Sequence, residues 1–479
     1  MKQYINSRKT ILLALTVLTS TVQMSCENLI EVDTPYTNST STIVYSSNNT
    51  ATAVLTGILA KMSTLNSTDY SMPNIGTTSV FVGLSADELA LFNPGDLTLG
   101  AYWQNALNNE RGEFWNSIYP LVYNCNSAIE GLNNSTMLNP EVKTQLLGEA
   151  KFMRAFLYFH LVNLYGDVPL ILTSDYITNA QLPRTAKDDV MAQIVTDLKE
   201  AQSLLKSDYV GANVLNATDE RVRPNKWAAT ALLARAYLYQ EDYANAVAQS
   251  SLVIANTAQY GIEPLNNVFV KNNKESIWQI QATGSFFSAN TGEGMIFKLP
   301  ATGPDFSHIV YMSNGLANSF EAGDQRKENW VGSAVVGATT YYYPNKYKIG
   351  SEFVPTSEYS TVLRLAEQYL IRAEAYAKLN KLTEAKNDLL VVRNRAGLLT
   401  TTAATKDELL SAILQERKVE LFTEWGHRWF DLKRTGKIDA VMTAAALLKG
   451  STWATTKALY PIPLFDLQAN NKLVPNPGY

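Results

Sequence analysis

The sequence contains little cysteine and little histidine: two cysteines and three histidines among 479 residues. Two cysteines cannot build the disulfide framework of a small secreted protein, so the stability of this chain has to come from packing. The histidines, His160, His308 and His427, are far apart in the sequence and lack the spacing of zinc ligands. We therefore predict no metal site.

The chain also has little excess charge of either sign. The formal net charge is −4, the isoelectric point is about 5.6, and no basic stretch alternates with aromatic residues. These values exclude nucleic acid as a partner. The sequence has no Walker loop, dinucleotide glycine motif, nucleophile elbow or HExxH motif. We therefore predict neither a cofactor nor an enzymatic activity.

One acidic cluster could suggest acid–base catalysis. Glu416, Glu420 and Glu424 recur every four residues, which places three carboxylates on one face of a helix. Clustered charges more commonly belong to structural ion-pair networks. We predict such a network, with the carboxylates neutralised by the basic residues near them in the sequence: Arg417, Arg428, Lys433 and Arg434.

Long apolar runs are scarce as well, and the most informative one lies at the N-terminus. Residues 10–22 form an apolar run that is too short to span a bilayer, and they follow Lys2, Arg8 and Lys9. A basic segment followed by a short apolar run is typical of an export signal. We predict that residues 1–25 are cleaved, and that no later segment spans a membrane.

The two cysteines have different predicted roles. Cys26 follows the small residue Ser25 directly after the apolar run, as in a bacterial lipobox, and we predict that it is lipidated. Residues 26–49, rich in serine, threonine and asparagine, then form a flexible tether. The alternative is ordinary secretion with Cys26 left as a spare thiol. Cys125 lies within an apolar helical pattern and is predicted to be a buried, inert thiol.

Folding is predicted to begin near residue 50. Apolar residues recur at helical spacing in several stretches, which we predict to be helices: 51–65, 114–132, 149–165 and 188–206. Ala236-Tyr237 followed by Ala246 recurs as Ala375-Tyr376 followed by Ala385. Small residues at these positions allow two helices to approach closely, as in tetratricopeptide units.

The predicted fold is therefore mainly α, with about four tetratricopeptide-like helical hairpins. We divide the folded part into an N-terminal region, 50–260, and a C-terminal region, 261–479. The first of these precedes a stretch from 260 to 361 that is irregular and rich in glycine, asparagine, proline and aromatic residues. A long insertion of this kind is usually functional, so we expect it to carry ligand-binding loops.

Several motifs together resemble the SusD/RagB family of Bacteroidetes. They are EAKFMRAFLYF at 149–159, YGDVPL at 165–170, DQR at 324–326, EWGHRWFDLKR at 424–434 and NPGY at 476–479. DQR departs from the family's usual DpR, with glutamine in place of proline. The motifs occur in the family's order, and the resemblance extends over nearly the whole mature chain.

The resemblance implies a nutrient-binding lipoprotein without enzymatic activity. Its lipid would anchor it to the outer membrane, facing the cell exterior, beside a SusC-like TonB-dependent transporter. The loop-rich face would capture an oligosaccharide or a peptide, and the sequence leaves the choice between them open. It also leaves open a periplasm-facing anchor. Two other functions remain: a surface scaffold or adhesin that uses the helical repeats to bind another protein, and a cryptic hydrolase.

Carbohydrate recognition requires flat aromatic faces together with polar side chains for hydroxyl groups. In related starch-binding members, aromatic platforms lie in the stretch that corresponds to residues 87–111. The candidate ligand-binding residues of this stretch are Asp87, Tyr102, Trp103, Asn105 and Arg111. The insertion contributes Phe287 and Trp330, followed by Phe286, Phe306, Tyr311, Tyr341 and Tyr342. For each aromatic residue the alternative role is to anchor its loop in a small core.

Overall fold

The structure is a computed structural model that describes residues 41–63, 73–283, 290–351 and 354–479. The predicted export signal, Cys26 and most of the predicted tether lie outside the described residues.

The chain divides into two units, Met1–Val44 and Tyr45–Tyr479. The described part of the first unit is one short helix, α1 (Ser41–Val44). In the second unit the first helix begins at Asn48, where Ser47 caps it by accepting a hydrogen bond from the backbone N–H of Thr50. Part of the segment predicted as a tether is therefore helical.

The second unit is mainly helical. Its α-helices are α2 (Asn48–Met62), α3 (Thr78–Ser85), α4 (Leu99–Trp103), α5 (Glu113–Asn134), α6 (Pro140–Tyr165), α7 (Tyr176–Asn179), α8 (Lys187–Leu204), α9 (Lys226–Tyr239), α10 (Tyr243–Ala255), α11 (Gly292–Phe297), α12 (Asn314–Ala317), α13 (Gln325–Trp330), α14 (Leu365–Lys378), α15 (Leu382–Arg395), α16 (Lys406–Glu420), α17 (His427–Arg434), α18 (Ile438–Leu448) and α19 (Leu464–Ala469). Short 3₁₀ turns occur at Ile75–Thr77, Leu265–Asn267 and Thr455–Ala458.

The described strands form three antiparallel pairs. They are β1 (Leu89–Leu91) with β3 (Val310–Met312), β2 (Ser276–Ile280) with β6 (Ser360–Arg364), and β4 (Val331–Val336) with β5 (Thr339–Pro344). The β2–β6 pair joins the first part of the irregular insertion to its end.

Local sequence explains where the central helix α6 begins and ends. Asn139 accepts a hydrogen bond from the backbone N–H of Glu141, and Pro140 occupies the first position, where its missing N–H costs nothing. Gly166 stops the helix with φ of +75°, a conformation that favours glycine. Every residue from Phe152 to Tyr165 is buried, as expected for a helix that is apolar around most of its circumference.

The helical repeats stack directly despite the insertion between them. Eight helices of the described chain pack one upon the next in the order α5, α6, α8, α9, α10, α14, α15 and α16, which makes four pairs. Helix α10 of the first repeat copy packs against α14 of the second, although residues 256–364 separate the two in sequence. Ala236, Ala246, Ala375 and Ala385 are all fully buried. The predicted fold, mainly α with helical hairpins and a long insertion, is confirmed.

The acidic cluster is an ion-pair network, as predicted. Arg326 Nη1 lies 2.6 Å from Glu416 Oε1, and Arg364 Nη1 lies 2.5 Å from Glu420 Oε1. Glu424 lies beyond the end of α16, and its Oε2 is 2.8 Å from Nε of Arg364. The cluster therefore does not lie entirely on one helix. Its buried ion pairs fix the insertion, which carries Arg326, to helix α16 of the repeats.

The predicted partners of these carboxylates were wrong. Each of the four basic residues has a different partner: Arg417 pairs with Asp431, Arg428 with Asp87 and Arg434 with Glu374, while Lys433 donates a hydrogen bond to the carbonyl oxygen of Asn163. The cations of the network come instead from distant segments, namely Arg326, Lys346, Arg364, Arg393 and Arg395. Proximity in the sequence was a poor guide because tertiary packing brings the insertion, β6 and α15 against α16.

Two single titratable side chains, Cys125 and His160, are buried in the helical body. Cys125 is fully buried, and burial raises the pKa of its thiol to about 12, so the prediction of an inert thiol is confirmed. His160 is buried beside the ring of Phe156, and its Nδ1 lies 3.0 Å from the carbonyl oxygen of that residue. Burial lowers the pKa of His160 to about 4, which keeps the imidazole neutral.

Candidate functional site

Strand pairing brings together two loops that are more than two hundred residues apart. The β1–β3 pair aligns Leu89 with Met312 and Leu91 with Val310. One residue further on, the backbone N–H of Phe92 donates a hydrogen bond of 2.8 Å to the carbonyl oxygen of Ile309. The aromatic-rich stretch after α3 and the part of the insertion before β3 therefore lie side by side. Both regions supplied candidate residues in the sequence.

Four aromatic side chains define this surface, which we call the loop face. Phe92 and Phe306 contact edge to face with ring centroids 5.7 Å apart, and they are 40% and 78% exposed. Tyr311 and Tyr341, both half-buried, contact edge to face at 5.2 Å. Exposed phenylalanine rings are costly in water, so the pairing of Phe92 with Phe306 where two loops meet indicates a surface for a ligand with apolar faces.

Polar groups accompany these rings. Asp305, next to Phe306, accepts hydrogen bonds from the backbone N–H groups of Ser307 and His308, at 2.8 and 2.7 Å. These bonds, working against partial desolvation, lower the pKa of Asp305 and keep its carboxylate ionised. The loop face thus offers acceptors for hydroxyl groups beside aromatic rings.

Two predicted site residues, Tyr102 and Asn105, are buried and act as loop anchors. The Tyr102 ring packs against Phe81 at 5.0 Å and Tyr460 at 5.5 Å, and its hydroxyl group donates to Glu113 at 3.3 Å. Asn105 Nδ2 donates a hydrogen bond of 3.0 Å to the carbonyl oxygen of Ser85. Both side chains are at most 5% exposed and present no face to a ligand in this conformation.

Asp87 and Arg111 are committed to ion pairs within the protein. Arg428 binds Asp87 through two hydrogen bonds of 2.7 and 2.9 Å. Burial opposes ionisation of Asp87, but the hydrogen bond and charge of Arg428 outweigh it and lower the pKa of the carboxyl group. Arg111 contacts Glu113 at 3.3 Å and donates to the carbonyl oxygen of Leu97 at 2.9 Å. Both residues stabilise the shape of the loop that carries Phe92.

The remaining candidates differ in exposure. Trp103 is half-buried at the end of α4 and is the one predicted tryptophan that keeps an accessible edge. Trp330 is fully buried in a cluster with Phe269 and Tyr347, and its Nε1 donates to the carbonyl oxygen of Leu265 at 2.8 Å. Phe287 lies outside the described residues. The predicted set therefore does not form one site.

One residue of the loop face was absent from the predicted set. Phe92 directly precedes the turn Asn93-Pro94-Gly95, and an aromatic residue beside a proline–glycine turn is held at the surface. That signal was present in the sequence. Phe306, Tyr311 and Tyr341 had been named only as secondary candidates, since sequence does not reveal which aromatic residues of an insertion are exposed.

The described residues offer neither a metal site nor a membrane-spanning helix. In the part of the chain that the structure describes, no group of three or more His, Cys, Asp or Glu side chains could hold a metal ion. None of its helices combines the length and apolar composition needed to cross a membrane.

The fold is that of a helical-repeat protein with a loop-rich insertion, and comparison with known proteins identifies its family. The SusD family model matches residues 310–479, and a SusD-like model described as "Starch-binding associating with outer membrane" matches residues 36–238. SusD-like protein P2 of Formosa agariphila is 27% identical over 417 residues, which are 76% of this chain and 80% of the relative. The chain belongs to the SusD family.

Solved structures share the fold. A SusD superfamily protein from Bacteroides vulgatus aligns with a TM-score of 0.75 at 20% identity, covering 90% of this chain and 99% of its own. A laminarin-binding SusD-like protein aligns with a TM-score of 0.72 at 24% identity, with the same coverage. Surface glycan-binding protein A from Bacteroides fluxus aligns with a TM-score of 0.73 at 21% identity, also over 90% and 99%.

Proposed function

We propose that this protein captures an oligosaccharide on its loop face and delivers it to a SusC-like TonB-dependent transporter. The observation that carries the proposal is the exposed pair Phe92–Phe306, which two distant loops build together. Aromatic rings pack well against the apolar faces of sugar rings. Membership of a family with glycan-binding members supports the ligand class.

The acidic cluster that could suggest acid–base chemistry, Glu416, Glu420 and Glu424, is engaged by buried cations. Binding without covalent change therefore accounts for the arrangement. A hydrolase would have to release products from the captured glycan, which prolonged incubation followed by chromatography would reveal.

Isothermal titration tests the ligand class. The lipidated chain, purified in a detergent without a sugar headgroup, is titrated with laminarin, other dietary and host glycans, and a pool of short peptides. We expect saturable binding of a glycan, and about fivefold weaker affinity in Phe306→Ala, since an aromatic contact contributes about 1 kcal/mol. Leu399→Ala is the matched control, because Leu399 is 83% exposed and lies beyond α15, outside the loop face.

Other outcomes would change the proposal. Peptide binding alone would redirect it to peptide capture. If neither ligand bound, and the tagged chain co-purified from native membranes with a protein other than a transporter, the surface scaffold or adhesin would replace nutrient capture. Co-purification of a TonB-dependent transporter is the result that the proposal predicts.

The proposal places the protein at the outer membrane through a lipid on Cys26. The apolar run at 10–22 before Cys26 supports this anchor, as does the family description of association with the outer membrane. Metabolic labelling with a radioactive fatty acid should mark the wild-type chain and leave Cys26→Ser unlabelled. Protease treatment of intact cells should digest the protein if it faces the exterior; protection would indicate a periplasm-facing anchor.

A further inference from the structure

A second concave surface, separate from the loop face, lies where three distant segments meet. Helix α5, the segment 169–180 and the C-terminal helix α19 enclose a groove of about 450 Å³. Its lining includes Trp115, Asn116, Tyr123, Tyr176, Asp466 and Asn470, and none of the four loop-face aromatics. Pockets of roughly 300–1,000 Å³ with mostly aromatic walls and a few polar groups are typical sites for small ligands.

The floor of the groove is rigid. The Trp115 ring packs against Tyr119 at 4.6 Å and Tyr165 at 5.1 Å, and its backbone N–H donates to the Tyr165 hydroxyl at 3.0 Å. The Tyr119 hydroxyl donates to the carbonyl oxygen of Pro169 at 2.9 Å, which joins α5 to the segment after α6. A floor held in this way is preorganised, so a ligand would not have to order it.

The rim carries exposed aromatic rings. Tyr123 on α5 is 47% exposed and Tyr176 on α7 is 76% exposed. Helix α7 has no buried residue of its own, so Tyr176 contributes nothing to the core. Two accessible rings on opposite segments could contact the apolar faces of a ligand between them.

Hydrogen-bonding groups also face the groove. Pro120 lies inside α5 and has no N–H, so the carbonyl oxygen of Asn116, one turn earlier, lacks its usual helical donor. The exposed Asn116 side chain adds an amide at the same place. Asp466 adds a carboxylate whose pKa is raised by burial, while its hydrogen bond with Trp115 partly opposes that rise.

The charges of the lining define the ligand further. Neither lysine nor arginine lines the groove, and Asp466 is its one acidic residue. A phosphate, a uronic acid or an acidic peptide would find no cation there. Aromatic rims, amide groups and oxygen acceptors without a cation are instead suited to a neutral ligand with many hydroxyl groups.

We propose that this groove is a second glycan site, which binds a short neutral oligosaccharide independently of the loop face. The ligand class rests on the proposed function, whereas the groove geometry does not. Two sites on one rigid body would raise the effective concentration of a long glycan through simultaneous contact. The protein would then hold a polysaccharide more tightly than its separate fragments.

The test compares groove and loop-face variants of the full lipidated chain by titration with a laminarin hexasaccharide, a maltohexaose and a xylohexaose. Tyr176→Ala removes an exposed ring, and Pro120→Ala restores the helical N–H that occupies the Asn116 carbonyl. Phe306→Ala is the matched aromatic truncation on the loop face, and Leu399→Ala is the neutral control.

We expect two binding sites per chain for one of these probes. Tyr176→Ala should weaken one site at least fivefold and leave the other unchanged, Pro120→Ala should weaken the same site without lowering the thermal midpoint, and Phe306→Ala should affect only the second site. One site per chain that responds to Phe306→Ala alone would overturn the groove proposal and leave the proposed function intact. Binding that responds to Tyr176→Ala alone would support the groove and overturn the loop face.

Absence of binding by every probe would overturn both. A last outcome is loss of transporter co-purification in Tyr176→Ala with unchanged glycan binding. It would show that the groove is a protein interface and would also overturn the proposal.

Discussion

Replacing Glu420 should cost this protein much of its stability with little change in side-chain volume. Its side chain is fully buried and is contacted by Arg326 at 2.9 Å, by Arg364 at 2.5 Å and by Arg395. Glu420→Gln keeps the volume but leaves three buried guanidinium groups without this carboxylate. Removing one partner from a buried ion pair costs about 3–5 kcal/mol, and we expect a loss of that size in the free energy of unfolding.

Urea unfolding followed by tryptophan fluorescence measures this loss. Glu200→Gln is the matched control: it breaks the pair between Lys151 and Glu200, whose carboxylate is 48% exposed, and should cost about 0–1 kcal/mol. A loss in Glu420→Gln no larger than in this control would refute the assignment of a stabilising role to the network.

For the same variant we predict how the loss of stability depends on pH. Burial opposes ionisation of Glu420, but Arg395, Arg364 and Arg326 outweigh it and hold the pKa of the carboxyl group well below its ordinary value of 4.5. A carboxyl group whose folded-state pKa is depressed stabilises the protein fully above the unfolded value. This stability declines as the pH falls below 4.5 and is gone below the folded-state value. The difference between wild type and Glu420→Gln should therefore be largest near neutral pH and shrink in acid.

Three further predictions concern single side chains. Asp87→Asn should lower the free energy of unfolding by about 3 kcal/mol in urea titrations, because it leaves the buried guanidinium of Arg428 without its carboxylate. If the variant instead lost glycan affinity at unchanged stability, Asp87 would be a ligand-binding residue. The Cys125 thiol, with its pKa raised to about 12, should react with a thiol reagent only in the unfolded protein, and rapid labelling of the native protein would contradict its burial. Burial lowers the pKa of His160 from 6.5, the value of an unfolded chain, to about 4 in the folded protein. As the pH drops from 6.5 to 4, the unfolded chain therefore binds a proton that the folded protein does not, and stability falls. His160→Gln should flatten this part of the stability profile, and an unchanged profile would assign the loss to other groups.

The helical scaffold was predictable from the sequence because its determinants are local. The spacing of apolar residues over 149–165, the cap at Gly166 and the alanine pattern around Ala236 and Ala375 all act within a few residues of where they stand. The family motifs are likewise short runs of neighbouring residues. Even the acidic cluster around Glu420 could be interpreted correctly, since clustered charges in a helical body are usually paired.

Only the tertiary structure decided which residues form the two surfaces that we propose for ligand binding. Whether an aromatic side chain is exposed depends on what packs against it, and those neighbours are remote: Trp330 is covered near Leu265, and Tyr102 lies against Tyr460. The cations around Glu420 likewise come from three separate segments: Arg326 from the insertion, Arg364 from β6 and Arg395 from α15. Phe92 meets Phe306 only because β1 pairs with β3, and the groove at Trp115 exists only because the C-terminal helix returns to α5. Such contacts join segments that are tens to hundreds of residues apart, so no local pattern in the sequence specifies them.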